Sequence, residues 1–95
     1  MFVIVVKYLV ELAEIDAAIA DHGAWLAEQY ADGVFLASGR QVPRTGGVIL
    51  AAGLTREDLD RRLAGDPFGQ RGLAEYQVTE FVASRTSGEL ERFRA

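Results

Sequence analysis

His22 is the residue best suited to acid–base chemistry near neutral pH, and it is the only histidine in the sequence. Imidazole is the side chain whose unperturbed pKa lies closest to neutrality, so it can accept and donate a proton there. The alternative is a core histidine hydrogen-bonded to a backbone carbonyl, and spacing alone leaves both interpretations open. Either way an inward-facing ring needs partners, because burying an unpaired polar group costs about 1 to 3 kcal/mol.

Asp66 is the best candidate for that partner. An aspartate followed by Pro67 is a typical helix opening, in which the aspartate caps the helix, the proline takes the first helical position and Phe68 packs inward. Position alone favours this structural role. In the fold predicted below, however, the loop after the second helix can bring Asp66 to the first helix. Its carboxylate would then accept from one nitrogen of His22 and leave the other free to act on a ligand.

Ser38, Gly39 and Arg40 follow one another near the end of a predicted strand, and with Phe68 they are the predicted substrate-binding residues. Ser38 lacks the sharp glycine-framed turn of a nucleophilic serine, so it is a candidate ligand contact or an ordinary strand residue. Arg40 could bind an anionic group of a substrate, although an exposed arginine usually has no such specific role.

Neither a metal nor a cofactor is expected from the sequence. One histidine and scattered carboxylates give no metal-ligand spacing, and there is no cysteine. The glycines form neither a GxGxxG motif nor a phosphate-binding loop. The predicted chemistry therefore uses side chains alone.

The longest helical pattern, residues 15–30, positions the histidine. At 100° per residue, one side of this helix carries an apolar stripe interrupted only by His22, and the opposite side is mostly acidic. The stripe consists of Ile15, Ala18, Ile19, His22, Leu26 and Tyr30. His22 is therefore predicted to face inward, and Trp25, Tyr30 and Phe35 are interpreted as packing residues.

The remaining hydrophobic patterns predict four strands and a second helix. The strands cover residues 2–10, 34–41, 48–52 and 76–83, the first helix runs to about residue 31, and the second covers residues 56–64. Gly33 is predicted to end the first helix in a left-handed conformation, and Thr55 to cap the second. Residues 43–47 are predicted to form a hairpin turn in which Gly46 and Gly47 can take positive φ.

The resulting order, βαββαβ, folds most readily into a ferredoxin-like α+β sandwich with a four-stranded antiparallel sheet. The first and third strands are the most apolar and are predicted to be central, the second and fourth to be edges, and both helices to cover one face. The other face would expose Val, Leu and Phe side chains over more area than a monomer usually tolerates. This predicts a homodimer joined sheet to sheet; the alternative is a monomer with a mixed face.

Composition sets the broad class of the protein. The 95 residues, 49% of them hydrophobic, indicate a single globular domain over 1–95, with a core of about 1–83 and a polar tail, 84–95, in which Leu90 and Phe93 are spaced for a helical turn. A net charge of -4 without a basic run argues against nucleic-acid or membrane-surface partners. The first apolar run is too short for a signal peptide or a membrane span, and the absence of cysteine fits the cytoplasm.

Taken together, these residues resemble the YciI-like (YCII-related) family. The resemblance rests on Asp21-His22-Gly23, on Gly33, on the strand Phe35 to Gly39, on the hairpin Pro43 to Gly47, and on Asp66-Pro67-Phe68 with Gly72-Leu73 after it. It implies ferredoxin-like protomers paired as a dimeric α+β barrel, with a His/Asp pair in a pocket taken to be the active site. Some relatives are similar to cofactor-free lyases such as dehydrochlorinases, and most have no assigned reaction.

Two positions depart from the pattern of these relatives. Many relatives have an arginine three residues before the histidine, where this chain has Ile19, and a proline after the strand glycine, where this chain has Arg40. The first departure removes a possible contact to an anionic substrate. Arg40 is a candidate to replace that contact from the other side of the pocket.

The sequence therefore leads to two functional hypotheses. In the first, Asp66 orients His22, and His22 moves a proton in an elimination or isomerisation of a small anionic or cyclic metabolite. In the second, the protein is a non-catalytic dimeric module that binds a small ligand in the same pocket.

Overall fold

A computed structural model describes residues 1–95 of the chain. The elements are β1 (Phe2–Tyr8), α1 (Leu12–Ala31), β2 (Phe35–Arg40), β3 (Gly46–Ala51), α2 (Arg56–Leu63), α3 (Pro67–Gln70) and β4 (Ala74–Glu80), followed by a short 3₁₀ helix, Gly88–Phe93. No helix combines the length and the apolar composition that crossing a membrane requires.

The four strands form one antiparallel sheet in the order β2-β3-β1-β4. The predicted α+β fold is confirmed, with β1 and β3 central and β2 and β4 at the edges. The register places Tyr76 opposite Val6, and Ser38 opposite Ile49. Because opposite residues of an antiparallel pair share a face, and Val6 and Ile49 are buried beneath the helices, Tyr76 and Ser38 lie on the helix-covered face.

Both sides of β1 are apolar. One side packs against the helices, and the other lies at the centre of the opposite face of the sheet. Phe2, Ile4 and Val6 are buried in the core, whereas Val3 and Val5 alternate with them and stay half-buried. Burying a large apolar side chain stabilises the fold by about 1.5 to 3 kcal/mol. The core therefore lies between the sheet and the helices.

The far face of the sheet is apolar at its centre and polar along β4. Its exposed or half-buried apolar residues are Val3, Val5, Val48 and Leu50, and its polar residues on β4 are Glu75, Gln77 and Thr79. The prediction of exposed Val, Leu and Phe is confirmed in part: Phe81, directly after β4, is exposed, whereas Phe2 and Phe35 are buried in the core beneath the helices.

The buried stripe of α1 is rotated from the predicted one. Ile15 and Ala18 are buried as expected, together with Trp25 and Gln29, whereas Ile19 is 46% exposed and Tyr30 is also exposed. On the buried Trp25 side, the indole Nε1 donates to the backbone carbonyl of Arg62 at 3.0 Å. The placement of Ile19 and Tyr30 in the core was therefore wrong.

Several boundaries follow the predicted signals. Gly33 ends α1 with φ of 74°, and the Thr55 side chain accepts the Asp58 N–H at 3.1 Å to open α2. β4 begins at Ala74, two residues earlier than predicted, and α1 begins at Leu12 rather than Ile15. The cap at Asp66 opens a short additional helix, α3.

The hairpin glycines were predicted in the turn, and this was wrong. Gly46 and Gly47 are the first residues of β3, and neither has a positive φ. A Cβ on Gly46 would lie 1.9 Å from the backbone oxygen of Val6. Glycine is required there because the strands approach closely, not because the chain turns.

Candidate active site

His22 and Asp66 meet as the topology predicted. The ring nitrogen Nδ1 of His22 lies 2.8 Å from Oδ1 of Asp66. The carboxylate is completely buried, and 13% of the His22 side chain is exposed. The contact joins the middle of α1 to the residue that opens α3.

Asp66 also keeps its structural role, so the two interpretations of this residue are compatible. Its Oδ1 accepts the backbone N–H of Phe68 at 3.1 Å, which caps α3, and its Oδ2 accepts the hydroxyl of Tyr76 at 2.5 Å. With the carboxylate ionised and the imidazole neutral, Nδ1 of His22 is the donor of this hydrogen bond and Nε2 carries no proton.

Tyr76 was missed as a member of the site and treated as a strand residue. Burial raises the pKa of the Tyr76 phenol, and the hydrogen bond to Asp66 and its negative charge raise it further. The phenol therefore stays a donor at neutral pH. The signal that could have found it is strand alternation: Tyr76 shares a face with half-buried Val78, and a tyrosine on a buried face needs a hydrogen-bond partner.

The plane of the imidazole is fixed by aromatic contacts. Phe68 stacks on the ring of His22 with centroids 3.9 Å apart and planes 4° apart, and Trp25 lies 5.7 Å away at a tilt of 32°. Nε2 has no hydrogen-bond partner within the chain, and it is not completely buried. This nitrogen therefore remains accessible.

A cavity of about 430 Å³ lies beside the imidazole, between α1 and the strands β2 and β3. All four predicted substrate-binding residues line it with His22, whereas Asp66 stays behind the ring. These four residues are Ser38, Gly39, Arg40 and Phe68. Ile19 and Leu26 of α1 are apolar residues of the cavity wall. Ile19 is exposed because it faces this cavity and not the packed core.

Ser38 is paired with a hydroxyl and not with the imidazole. Its Oγ lies 2.6 Å from the hydroxyl of Tyr30, while His22 is bonded to Asp66. The side chains therefore do not form a serine nucleophile with a histidine base. Tyr30, predicted to pack in the core, instead holds a polar residue of the cavity wall.

The two arginines of the cavity differ in charge balance. Arg44 forms an ion pair with Asp16 at 2.5 Å, and this hydrogen bond raises the pKa of Arg44 above its ordinary value. Arg40 makes no ion pair and no side-chain hydrogen bond. Arg40 is therefore the cavity cation whose charge is available to a ligand, while Arg44 and Asp16 are cavity residues that the sequence analysis did not identify.

No group of three or more His, Asp or Glu side chains converges in a way that could hold a metal ion. The chemistry that this arrangement can perform is proton transfer at Nε2, next to a space that combines apolar walls with one unpaired cation.

Comparison with known proteins agrees with this architecture. A search of the curated proteins gives no match. Among solved structures, the chain is similar to 5-chloro-2-hydroxyhydroquinone dehydrochlorinase from Burkholderia phenoliruptrix AC1100, in complex with 2,5-dihydroxybenzoquinone. The TM-score is 0.70 at 17% identity, over 85% of this chain and 93% of that chain. The family model of the YCII-related domain matches residues 1–82, which confirms the resemblance noted in the sequence: the chain belongs to the YCII-related family.

Proposed function

We propose that this protein is a cofactor-independent enzyme in which His22 transfers a proton during the elimination or isomerisation of a small anionic or cyclic metabolite. The observation that carries the proposal is the unpartnered Nε2 of a ring that Asp66 holds by Nδ1 beside a cavity. A base must be both free at one nitrogen and fixed at the other to act on a bound substrate.

In the proposed reaction, Nε2 of His22 takes a proton from a substrate carbon or hydroxyl next to an electron-withdrawing group. The electron pair left on the substrate either expels a leaving group as an anion or shifts along a conjugated system. In an elimination the imidazolium then loses its proton to solvent, and in an isomerisation it returns the proton to another substrate atom. The buried Asp66 carboxylate stabilises the imidazolium that forms between these steps.

The lining of the cavity supports the proposed substrate class. Arg40 offers an unpaired positive charge for an anionic group, and Ser38 and Gly39 lie next to it on the same strand. Ile19 and Leu26 offer apolar surface for a ring. The dehydrochlorinase that shares this fold was solved with a quinone, which is consistent with a flat cyclic substrate here.

A turnover screen with a matched pair of variants tests the proposal. Halogenated and hydroxylated aromatic acids and hydroxyquinones are incubated with the protein, and conversion is followed by ultraviolet absorbance and halide release. His22→Ala should lower turnover about 10² to 10⁴-fold while the protein stays folded. Asp21→Asn, on the adjacent exposed residue of α1, is the control and should retain turnover.

Full turnover by folded His22→Ala would contradict the proposal. Binding of these compounds without conversion by the wild-type protein would instead support the second hypothesis, a module that binds a small ligand without chemistry. Calorimetry with Arg40→Gln would then test whether the anionic group is recognised by that arginine.

The far face of the sheet supports a further part of the proposal, a homodimer joined sheet to sheet. Val3, Val5 and Leu50 form a continuous apolar centre on this face, where a second copy would bury them. Light scattering should give about twice the monomer mass of 10.4 kDa. Leu50→Lys should shift the mass toward the monomer, and a wild-type monomer would contradict the proposed pairing.

A further inference from the structure

We infer that Tyr76 is a positioning residue: its hydroxyl fixes the second oxygen of Asp66 and thereby keeps Nε2 of His22 unprotonated. The inference deepens the proposed function, since it concerns what makes His22 a base. Tyr76 does not line the cavity beside His22, so its effect must pass through Asp66.

The donors are divided unequally between the two carboxylate oxygens of Asp66. Oδ1 of Asp66 is shared by the backbone N–H of Phe68 and by Nδ1 of His22, whereas the only partner of Oδ2 is the hydroxyl of Tyr76. Without that hydroxyl, the carboxylate is held by one oxygen and can rotate. The Tyr76 bond therefore decides the plane of the carboxylate.

The same bond also affects where the protons are. Asp66 is completely buried, so its negative charge is stabilised by its three donors and not by water. Removing one donor makes the Asp66–His22 pair bind a proton more readily. When this proton goes to the ring, or to Oδ1 so that Oδ1 donates to Nδ1, Nε2 of His22 becomes protonated and stops being a base, whereas a proton on Oδ2 would leave Nε2 free. Hydrogen bonds to charged groups are strong enough for a change of about tenfold in this equilibrium.

Gly69 provides a second and independent way to disturb the bond. A Cβ at this position would lie 2.8 Å from the hydroxyl oxygen of Tyr76 and 2.9 Å from a carbon of its ring. Contacts this short force the phenol to move. Gly69→Ala should therefore displace the hydroxyl from Asp66 while leaving the tyrosine in the chain.

The experiment uses the fact that His22 is the only histidine. The protein is labelled with ¹⁵N-histidine, and long-range ¹H–¹⁵N spectra at neutral pH report the protonation of its one imidazole. The wild type is expected to carry its proton on Nδ1 with Nε2 unprotonated. Tyr76→Phe and Gly69→Ala should both raise the ratio of protonated to unprotonated Nε2 by about tenfold. Tyr30→Phe is the control. It removes a hydroxyl of α1 that pairs with Ser38 and not with Asp66, so it should leave this ratio unchanged.

Two results would overturn the inference. One is a folded Tyr76→Phe or Gly69→Ala variant whose ring has the wild-type protonation. The other needs no variant: a wild-type ring protonated on Nε2 at neutral pH.

The spectra require no substrate, so they separate this inference from the proposed function. A ring that responds to Tyr76 in a protein with no turnover keeps the positioning role and rejects the catalytic one. Where turnover is found, Tyr76→Phe should lower kcat by about two- to threefold at neutral pH, and by up to about tenfold at acidic pH, where Nε2 is mostly protonated in both proteins. KM should change little, because Tyr76 does not line the cavity.

Discussion

Arg62 and Asp66 are charged side chains four residues apart, and both hold α1 in place. Arg62 is in contact with water, whereas Asp66 is completely buried. Arg62 donates to Oε1 of Gln29 and Oδ2 of Asp32 at 2.8 Å, and to Oδ2 of Asp58 at 3.1 Å. Its side chain is 22% exposed. If one of these hydrogen bonds is lost, water can therefore accept from the guanidinium in its place.

Asp66 has the same number of hydrogen-bond partners but no access to water. It accepts from His22, Phe68 and Tyr76, and none of its side chain is exposed. If one of these donors is lost, water cannot take its place at the buried carboxylate. Burial, and not the number of hydrogen bonds, therefore distinguishes Asp66, which can set the protonation of a neighbouring base, from Arg62, which only holds two elements together.

The largest expected effect is from Asp66→Ala. It removes the cap of α3 and leaves the Phe68 N–H, the Tyr76 hydroxyl and His22 Nδ1 without their acceptor. We expect a loss of about 3 to 5 kcal/mol in the free energy of unfolding, measured by urea denaturation. Asp60→Ala, which breaks only the exposed pair with Arg56, is the matched control and should cost less than about 0.5 kcal/mol. Similar losses for the two variants would show that burial does not make the contacts of Asp66 stronger than an exposed ion pair.

Arg62→Met should have an intermediate effect. The methionine keeps much of the apolar stem but leaves buried Gln29 without the donor to its Oε1. The bond from Trp25 goes to the backbone of residue 62 and is retained. We expect a loss of about 1 to 2 kcal/mol in the same urea experiment, with the ¹⁵N spectrum of His22 unchanged. A changed imidazole spectrum would show that Arg62 also acts on the site.

Alkaline pH should weaken the hydrogen bonds around Asp66 and leave those of Arg62 intact. The pKa of Tyr76 is raised above its ordinary value of 10.0 in the folded protein, mainly by burial and also by Asp66. The contribution of Tyr76 to stability is therefore complete below about pH 10 and is lost as the pH rises further, because the unfolded chain releases this proton first. Arg62 stays charged, since hydrogen bonds to Asp32 and Asp58 raise its pKa.

The loss assigned to Tyr76 approaches about 1.4 kcal/mol for each pH unit above 10. Urea titrations of the wild type and of Tyr76→Phe at about pH 9 and about pH 11 measure it, because the other titrating groups are common to both proteins. The wild type should lose more stability over this interval than the variant. Equal losses would mean that Tyr76 ionises as freely in the folded protein as in the unfolded one.

Much of the fold could be predicted because its signals are local. The alternation in β1, the cap at Thr55 and the stop at Gly33 each involve residues close in the chain. The Asp66 contact with His22 spans 44 residues, and it was predicted because a βαββαβ order places both helices on one face.

The errors concern residues whose surroundings depend on distant elements. An apolar residue facing a cavity has the same pattern as one facing a packed core, so Ile19 was placed in the core. Tyr30 was placed there as well, but it is exposed and its hydroxyl pairs with Ser38. Glycines that allow close approach resemble glycines that turn the chain, so Gly46 was placed in the turn. Tyr76 was missed because its partner, Asp66, opens α3 in the helix layer, and strand periodicity does not specify which residue of that layer a strand side chain meets.

The order of the elements, the apolar faces that bring them together and the residue types available for proton transfer follow from the amino-acid sequence, because secondary structure depends on interactions over a few residues. The contact between Asp66 and His22 was also predicted, but only the folded chain shows that this one buried carboxylate accepts from an imidazole, a backbone N–H and a phenol together. The state of a buried charge depends instead on every donor that the fold places around it.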